Sequence, residues 1–466
     1  MQAATGSPGA RIGARTPPGG RAQAPGAAAH GLRAGSFAPA LGYLGLVAVV
    51  TSAFLVAGGA ATRPTSIVPA RSGGWPDWLA GPLRGLDLGI SRGSFQAYTL
   101  VMCAGYAAVL LCVSRLRMRA IVAAVVAAHV LLLLGPPLIS QDVFGYIGYA
   151  RLGATHGLDP YTHLTAEAPM DPVFAFLGWP FKHSPYGPLF TLASYATAPL
   201  SVAAALWVYK ALAALASLAA VALVARACTR MGRSPAWAVA FVGLNPVLLE
   251  LAVGGAHNDT LLLALLAAAL ALTAGASPRF HAGAVSLAAG VGIKVSAGLP
   301  LAFLVLAPRR ARERLRVGAT AAVSLAVLGA AGLIGFGGHA LGFLGAVGEQ
   351  QQLVAVHSVP AETARLFGLA GTPSWWRDLF LAAFVAFVLV ALWRTARGAD
   401  WRVQAGWATL ALLACTAWLL PWYVIWALPL AAVSGDRRLR AATLLFCAYA
   451  IVIHLPLAEP LLSPPR

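Results

Sequence analysis

The sequence predicts an all-α fold, a polytopic bundle of transmembrane helices, and three observations carry that prediction. Hydrophobic residues make up 59% of the 466 residues and charged residues only 10%, with a mean hydropathy of +0.75. A water-soluble globule of this length needs more polar surface than that. Apolar runs of spanning length recur along the chain. The 33 basic residues, against 15 acidic ones, fall mostly in short clusters between those runs. Retention of basic clusters on the cytoplasmic side explains the net charge of +18 better than a nucleic-acid face does, so nucleic acid is excluded as a partner.

Residues 1–38 are rich in Gly, Ala, Pro and Arg and contain no acidic residue, which predicts a disordered, basic cytoplasmic tail. Residues 39–466 form the transmembrane domain. The run from Leu41 to about Ala61 spans the membrane and is not a cleaved signal. Further helices are predicted over 96–114, 119–138, 201–226, 235–253, 259–275, 315–337, 379–393, 404–420 and 440–457. Two stretches are interrupted and read as pairs of short helices meeting at a polar turn: 281–307, broken at Lys294 and Pro300, and 404–435, broken at Pro421. The apolar 188–200 segment reads as re-entrant. In all, about 11 to 14 membrane segments are expected.

The arginine clusters 115–119, 226–233, 309–316, 394–402 and 437–440 all fit the cytoplasmic side. Counting helices between them puts loops 62–95, 139–186 and 338–378, and the turns at His257, Lys294 and Trp422, on the outer face. The five cysteines show neither disulfide-framework nor zinc-ligand spacing.

The outward residues carry the candidate chemistry. Asp142 follows an apolar helix end, with Tyr146, Tyr149 and Arg151 at spacings that a short interfacial helix turns toward one groove. A carboxylate there suits a base for a hydroxyl nucleophile, and equally suits a helix N-cap. Prolines and glycine stiffen Lys182-His183-Ser184-Pro185-Tyr186-Gly187-Pro188, so His183 and Tyr186 make either a binding wall or a rigid loop re-entering the membrane. Glu250 sits in an apolar run, where a carboxylate faces a partner or a wet cavity. His257, Asn258 and Asp259 mark a helix boundary, at which Asp259 is also a natural cap. Lys294 is one of three lysines and suits a phosphate ligand at the mouth of a half-helix hairpin, with snorkelling as the alternative. The last outer loop adds Glu349, Gln350 to Gln352, His357, Glu362 and Arg365. Pro421-Trp422-Tyr423 suits sugar stacking or an interfacial anchor.

At Asp142-Val143-Phe144-Gly145-Tyr146, Gly157-Leu158-Asp159-Pro160-Tyr161, Ser184-Pro185-Tyr186-Gly187-Pro188, Asn245-Pro246, Gly255-Ala256-His257-Asn258-Asp259 and Pro421-Trp422-Tyr423, the chain resembles the integral-membrane GT-C glycosyltransferases. It is most similar in these motifs to the actinobacterial polyprenol-phosphomannose-dependent alpha-1,6-mannosyltransferases related to glycosyltransferase family 87. One departure is that Asp142 follows the third apolar run, whereas in many of those enzymes the first outer loop follows the first helix; Asp77 and Asp87 of loop 62–95 are the competing carboxylates. The resemblance implies transfer of mannose from a polyprenyl phosphate to a mannan or lipoglycan acceptor on the outer face of the cytoplasmic membrane, with inversion. It implies Asp142 as catalytic base. Lys294, His257 and Arg151 then become candidates for the donor phosphate. Tyr146, His183, Tyr186, Glu250, Asn258, Asp259, His357, Trp422 and Tyr423 become candidates for the sugar or acceptor. The scheme requires no metal and no cofactor. Transfer of another polyprenyl-linked sugar, arabinose, and glycolipid transport are the competing readings; the chain shows no convincing internal repeat of the kind transporters carry.

Overall fold

The computed structural model describes residues 34–62, 65, 67–69 and 76–454. Residues 1–33 of the predicted tail lie outside the described residues, and the helical chain already begins at Ala34. Helix α1 (Ala34–Ala60) pairs with α3 (Arg92–Cys112), and the segment between them holds the single turn α2 (Asp77–Ala80). A capping box at Ser91 and Ser94 starts α3. Next come α4 (Met118–Leu134), α5 (Asp142–Ala154), the short α6 (Pro188–Ser194) where a re-entrant segment is expected, and α7 (Val202–Arg230), capped by Ser201.

Helix α8 (Pro235–Gly243) meets a π-helical turn, Val247–Val253, at an angle of 48°. Pro246 lacks the N–H that a continuous helix would use, which accounts for the break. Helix α9 (Asp259–Leu272) precedes α10 (Phe280–Val291) and α11 (Gly298–Leu306), which are separated at Lys294 as the sequence predicts; the break expected at Pro300 is absent, because this proline falls in the first turn of α11, where no intrahelical N–H is needed. Then follow α12 (Ala311–Phe336), α13 (Gly342–Gln351), α14 (Val359–Leu366), α15 (Ser374–Ala396) and α16 (Trp401–Cys415). A 3-10 segment, Pro421–Trp426, begins the second half of the other interrupted stretch and runs into α17 (Ala427–Ser434), before α18 (Arg437–His454).

Among the described residues, five helices are long and apolar enough to cross a membrane: α1, α3, α7, α12 and α15. The bent pair at Pro246 makes a sixth, and the shorter apolar helices α4, α9, α10, α11 and α17 pack among them. The chain is therefore a multi-pass membrane protein. Of the five long helices, α12 and α15 are the most peripheral, only 17% and 11% buried over their most apolar stretches. They present Val323, Val327, Ile334, Leu381 and Leu389 outward, which suits contact with acyl chains.

The arginine clusters gather at one end of the bundle. Arg230 donates to the Ala271 carbonyl, Arg402 to that of Thr273, and Arg314 to that of Ala396, each satisfying an orphan carbonyl at or just past a helix end. Arg440 lies over the Trp237 ring at 4.2 Å. Helix α9 leads away from this end to Asp259, α11 leads to Lys294 and α17 to Trp422. The candidate site thus forms at the opposite end.

Candidate active site

Hydrogen bonds between five connecting segments build the site. Ahead of α5, the Leu138 N–H donates to the Gly254 carbonyl at 3.0 Å, and the Ile139 N–H to that of Ile67 at 2.7 Å. These contacts bring the start of α5 against the end of the π-helical turn. Tyr186 and Lys294 are joined in the same way: the Gly187 N–H donates to the Ile293 carbonyl at 2.9 Å and the Phe190 N–H to that of Gly292 at 3.1 Å. A Cβ on Gly187 would lie 2.5 Å from the Gly292 oxygen, so only glycine allows this approach.

The result is a cavity of about 370 Å³ lined by Asp142, Tyr149, Lys182, Tyr186, Lys294, Gln350, Trp422 and Tyr423, with Gln141, Trp179 and Trp418 at its walls. Its size and its few convergent polar groups are those of a small-ligand site. Asp142 is the first residue of α5, whose N-cap is Gln141, and no side chain caps the helix. The capping role open at the sequence level is therefore not the one observed. The Asp142 side chain keeps 15% exposure, enough to meet a ligand. Burial raises its carboxyl, but His257, Lys294 and the Ser140 hydroxyl more than offset this, and the group stands below the ordinary carboxylate range. It is therefore ionised at neutral pH.

Lys294 occupies the turn before α11. Its ammonium bonds both oxygens of Asp259, at 2.8 and 3.0 Å, and lies 4.4 Å from the centre of the Tyr423 ring. Asp259 is also held by the Trp426 indole N–H at 2.8 Å. Lys294, Pro185, Gln350 and Tyr423 also line a second space of about 520 Å³, which runs between α13, α15 and α16 and contains Arg377, Leu381, Phe384, Leu412 and Leu413. One cation thus stands between a polar cavity and an apolar groove beside a lipid-facing helix.

Of the residues singled out from the sequence, Asp142, Tyr186, Lys294, Trp422 and Tyr423 line the polar cavity together. Five others, Asn258 among them, stand behind its wall. Tyr146 is buried, its hydroxyl donating to the Asn258 side chain and accepting from the Asn258 N–H. Asp259 caps nothing and anchors Lys294. His257 is fully buried, stacked on Trp422 with ring centres 3.8 Å apart. It does not reach the cavity as a phosphate ligand must. His183 turns toward Glu349 at 3.0 Å, and its neighbour Lys182 is the cavity residue.

Three expected site residues lie elsewhere. Arg151 is taken up by Asp171 at 2.9 Å and by the Ala198 carbonyl, in a cluster with His156. Glu250 is buried against the Thr99 hydroxyl, 2.9 and 3.1 Å from its two oxygens. His357 bonds Glu362 at 2.7 Å, outside both cavities. In each case a partner from a separate or following element consumes the polar group. Sequence spacing did not single out Gln141, Trp179, Trp418 or Arg377, whereas it placed Tyr149 beside Asp142, and the quoted loop segments contained Lys182 and Gln350.

A carboxylate and an ammonium facing one polar cavity at the end of an apolar helix bundle are compatible with a membrane glycosyltransferase, and similarity to known proteins shows that class. The chain belongs to the alpha-(1->6)-mannopyranosyltransferase family: the family's N-terminal domain matches residues 40–310, and the MptB C-terminal domain matches residues 369–465. Alpha-(1->6)-mannopyranosyltransferase A of Mycobacterium tuberculosis is 30% identical over 354 residues, 70% of this chain and 67% of that protein. The protein of the same name from Corynebacterium glutamicum is 29% identical over 179 residues, 37% of this chain and 36% of that protein. Alpha-(1->6)-mannopyranosyltransferase B of Corynebacterium glutamicum is 25% identical over 360 residues, 64% of this chain and 56% of that protein. No solved structure matches the chain.

Proposed function

We propose that the protein transfers a mannosyl residue from a polyprenyl-phosphate donor to an alpha-1,6-mannan or lipoglycan acceptor, at the outer face of the cytoplasmic membrane. The observation that carries this reading is the position of Lys294, shared between the polar cavity with Asp142 and the apolar groove against α15. A lipid-linked sugar has this sequence of parts: an apolar chain, an anionic phosphate and a polar ring. The chain fits the groove, the phosphate meets Lys294 and Arg377, and the sugar meets Tyr186, Trp422 and Tyr423. Trp179, 46% exposed and edge-on to Trp418 at 5.8 Å, offers the acceptor broad aromatic faces. With the arginine end of the bundle on the cytoplasmic side, the cavity opens outward.

The step follows from the charges. The acceptor hydroxyl gives its proton to Asp142 as its oxygen attacks the anomeric carbon, and the bond from that carbon to the phosphate oxygen breaks. The phosphodiester monoanion leaves as a phosphomonoester dianion. The additional charge develops beside Lys294, where a preorganised cation stabilises the transition state more than the ground state. A single displacement inverts the centre, so a beta-linked donor gives an alpha product.

The test uses the full chain purified into nanodiscs, incubated with polyprenyl-phosphate mannose, polyprenyl-phosphate arabinose or a nucleotide mannose, and a mannan acceptor. Transfer from the first alone, lowered by about 10² to 10⁴ in Asp142→Asn, is expected. Transfer from the nucleotide sugar, or an undiminished rate in Asp142→Asn, refutes the reading.

A further inference from the structure

We propose that His257 is a positioning residue for the base, holding the Asp142 carboxylate by one oxygen so that the other faces the acceptor hydroxyl. The inference rests on Asp142 being the base. His257 Nδ1 lies 3.4 Å from Asp142 Oδ2. Neither ring nitrogen has a partner at hydrogen-bond geometry, although the side chain is fully buried. A buried imidazole without a partner is costly and calls for a reason. The contact with Asp142 supplies one, because hydrogen bonds at a catalytic carboxylate are often long before substrate binds and shorten when it does.

The surrounding chain fixes the ring in this position. Ala256 has a φ of 57°, one of three positive values at non-glycine residues among those described. A second, Ile139 at 67°, precedes Asp142 by three residues, so locally strained backbone lies beside both members of the pair. The ring is clamped on one face by Trp422, itself part of the cavity wall. A Cβ on Gly255 would come within 2.7 Å of His257 Cδ2 and Nε2, so the glycine leaves the ring its space.

The other titratable groups facing this pair are Tyr146 and Tyr149 from α5, Tyr186 from the loop before α6, and Tyr423 from the 3-10 segment. Lys294 and Asp259 face it as well, but are paired with each other. Beside the Ser140 hydroxyl, whose oxygen accepts from the Asp142 N–H, His257 is a donor toward Asp142 whose nitrogens are not committed to any of these groups.

The experiment measures kcat, donor KM and the pH profile of transfer for the native chain and for His257→Ala, His257→Asn and His257→Gln. An asparagine amide presents its N–H near the position of Nδ1, and a glutamine amide near that of Nε2. Loss of a hydrogen bond to a charged group lowers kcat by roughly tenfold to a hundredfold in His257→Ala, with donor KM unchanged. The acid limb moves to higher pH, because the carboxyl loses the donor that favours its ionised form. His257→Asn recovers both rate and limb, and His257→Gln does not.

An unmoved acid limb in His257→Ala, equal recovery by both amides, or an effect confined to donor KM overturns the inference; the last would make His257 a phosphate ligand. Asp142→Asn separates the two levels of the argument. If that variant transfers normally, the base assignment falls first. If it is inactive while His257→Ala behaves as the native chain, only the positioning role fails.

Discussion

Replacing Lys294 by methionine keeps most of the side-chain length and removes the charge, which separates the structural and chemical duties of this residue. The ammonium is 2.8 Å from Asp259 Oδ1, and unit charges at that distance attract by roughly 6 kcal/mol at an effective dielectric of about 20. Desolvating two ions costs several kcal/mol each, on the order of the attraction, so the pair adds little to stability as a whole. Breaking it is different. Asp259 is 1% exposed and would remain as an uncompensated buried charge, for which about 3–5 kcal/mol of destabilisation is expected. Asp259→Asn beside Lys294→Met removes that charge, while the asparagine still accepts from the Trp426 indole. Thermal unfolding in nanodiscs should show a marked loss for Lys294→Met and near-native stability for the double variant. Initial rates should fall by about 10² to 10³ in both, because the cation at the departing phosphate is missing in both. A double variant that is stable and transfers sugar at the native rate would refute the assignment of Lys294 to the phosphate.

Two further expectations concern one wall of the site and one carboxylate away from it. Gly187→Ala drives a Cβ to within 2.5 Å of the Gly292 oxygen, a backbone atom that cannot rotate aside. The Tyr186 wall and the Lys294 turn should separate, costing about 1–3 kcal/mol in unfolding experiments and raising donor KM; unchanged values for both would show that the close approach is dispensable. Glu250→Gln, by contrast, keeps an acceptor for the Thr99 hydroxyl at a position away from the cavity, and steady-state transfer should be unaffected. A rate loss comparable to that of Asp142→Asn would return Glu250 to the site.

Composition alone dictated the membrane bundle, because a chain this apolar can satisfy its backbone in lipid only as helices or a closed barrel, and its apolar runs have helical length. The breaks were legible too. Lys294 and Pro421 interrupt apolar runs, and the structure separates α10 from α11 at the first and starts the 3-10 segment at the second. The arginine clusters, spaced along the sequence, meet at one end because each lies at a helix terminus facing the same way. Asp142, Lys294, Tyr186, Trp422 and Tyr423 were found for a related reason: polar and aromatic residues in an apolar chain stand out, and helix parity assigns them to one end.

Tertiary packing decided which of those residues share a cavity and what each one touches. Nothing in the spacing of Asp259 and Lys294 announces an ion pair across α9 and the turn before α11, nor does Arg151 reveal that Asp171 and the Ala198 carbonyl already hold it. His257 and Trp422 stack although they are far apart in the chain. A side chain's neighbours along one helix follow from its period, but its partners on other helices follow from how the helices pack. The sequence could therefore name the end of the bundle where the candidate site lies, and the packing alone could separate the carboxylate that faces the cavity from those that hold its walls.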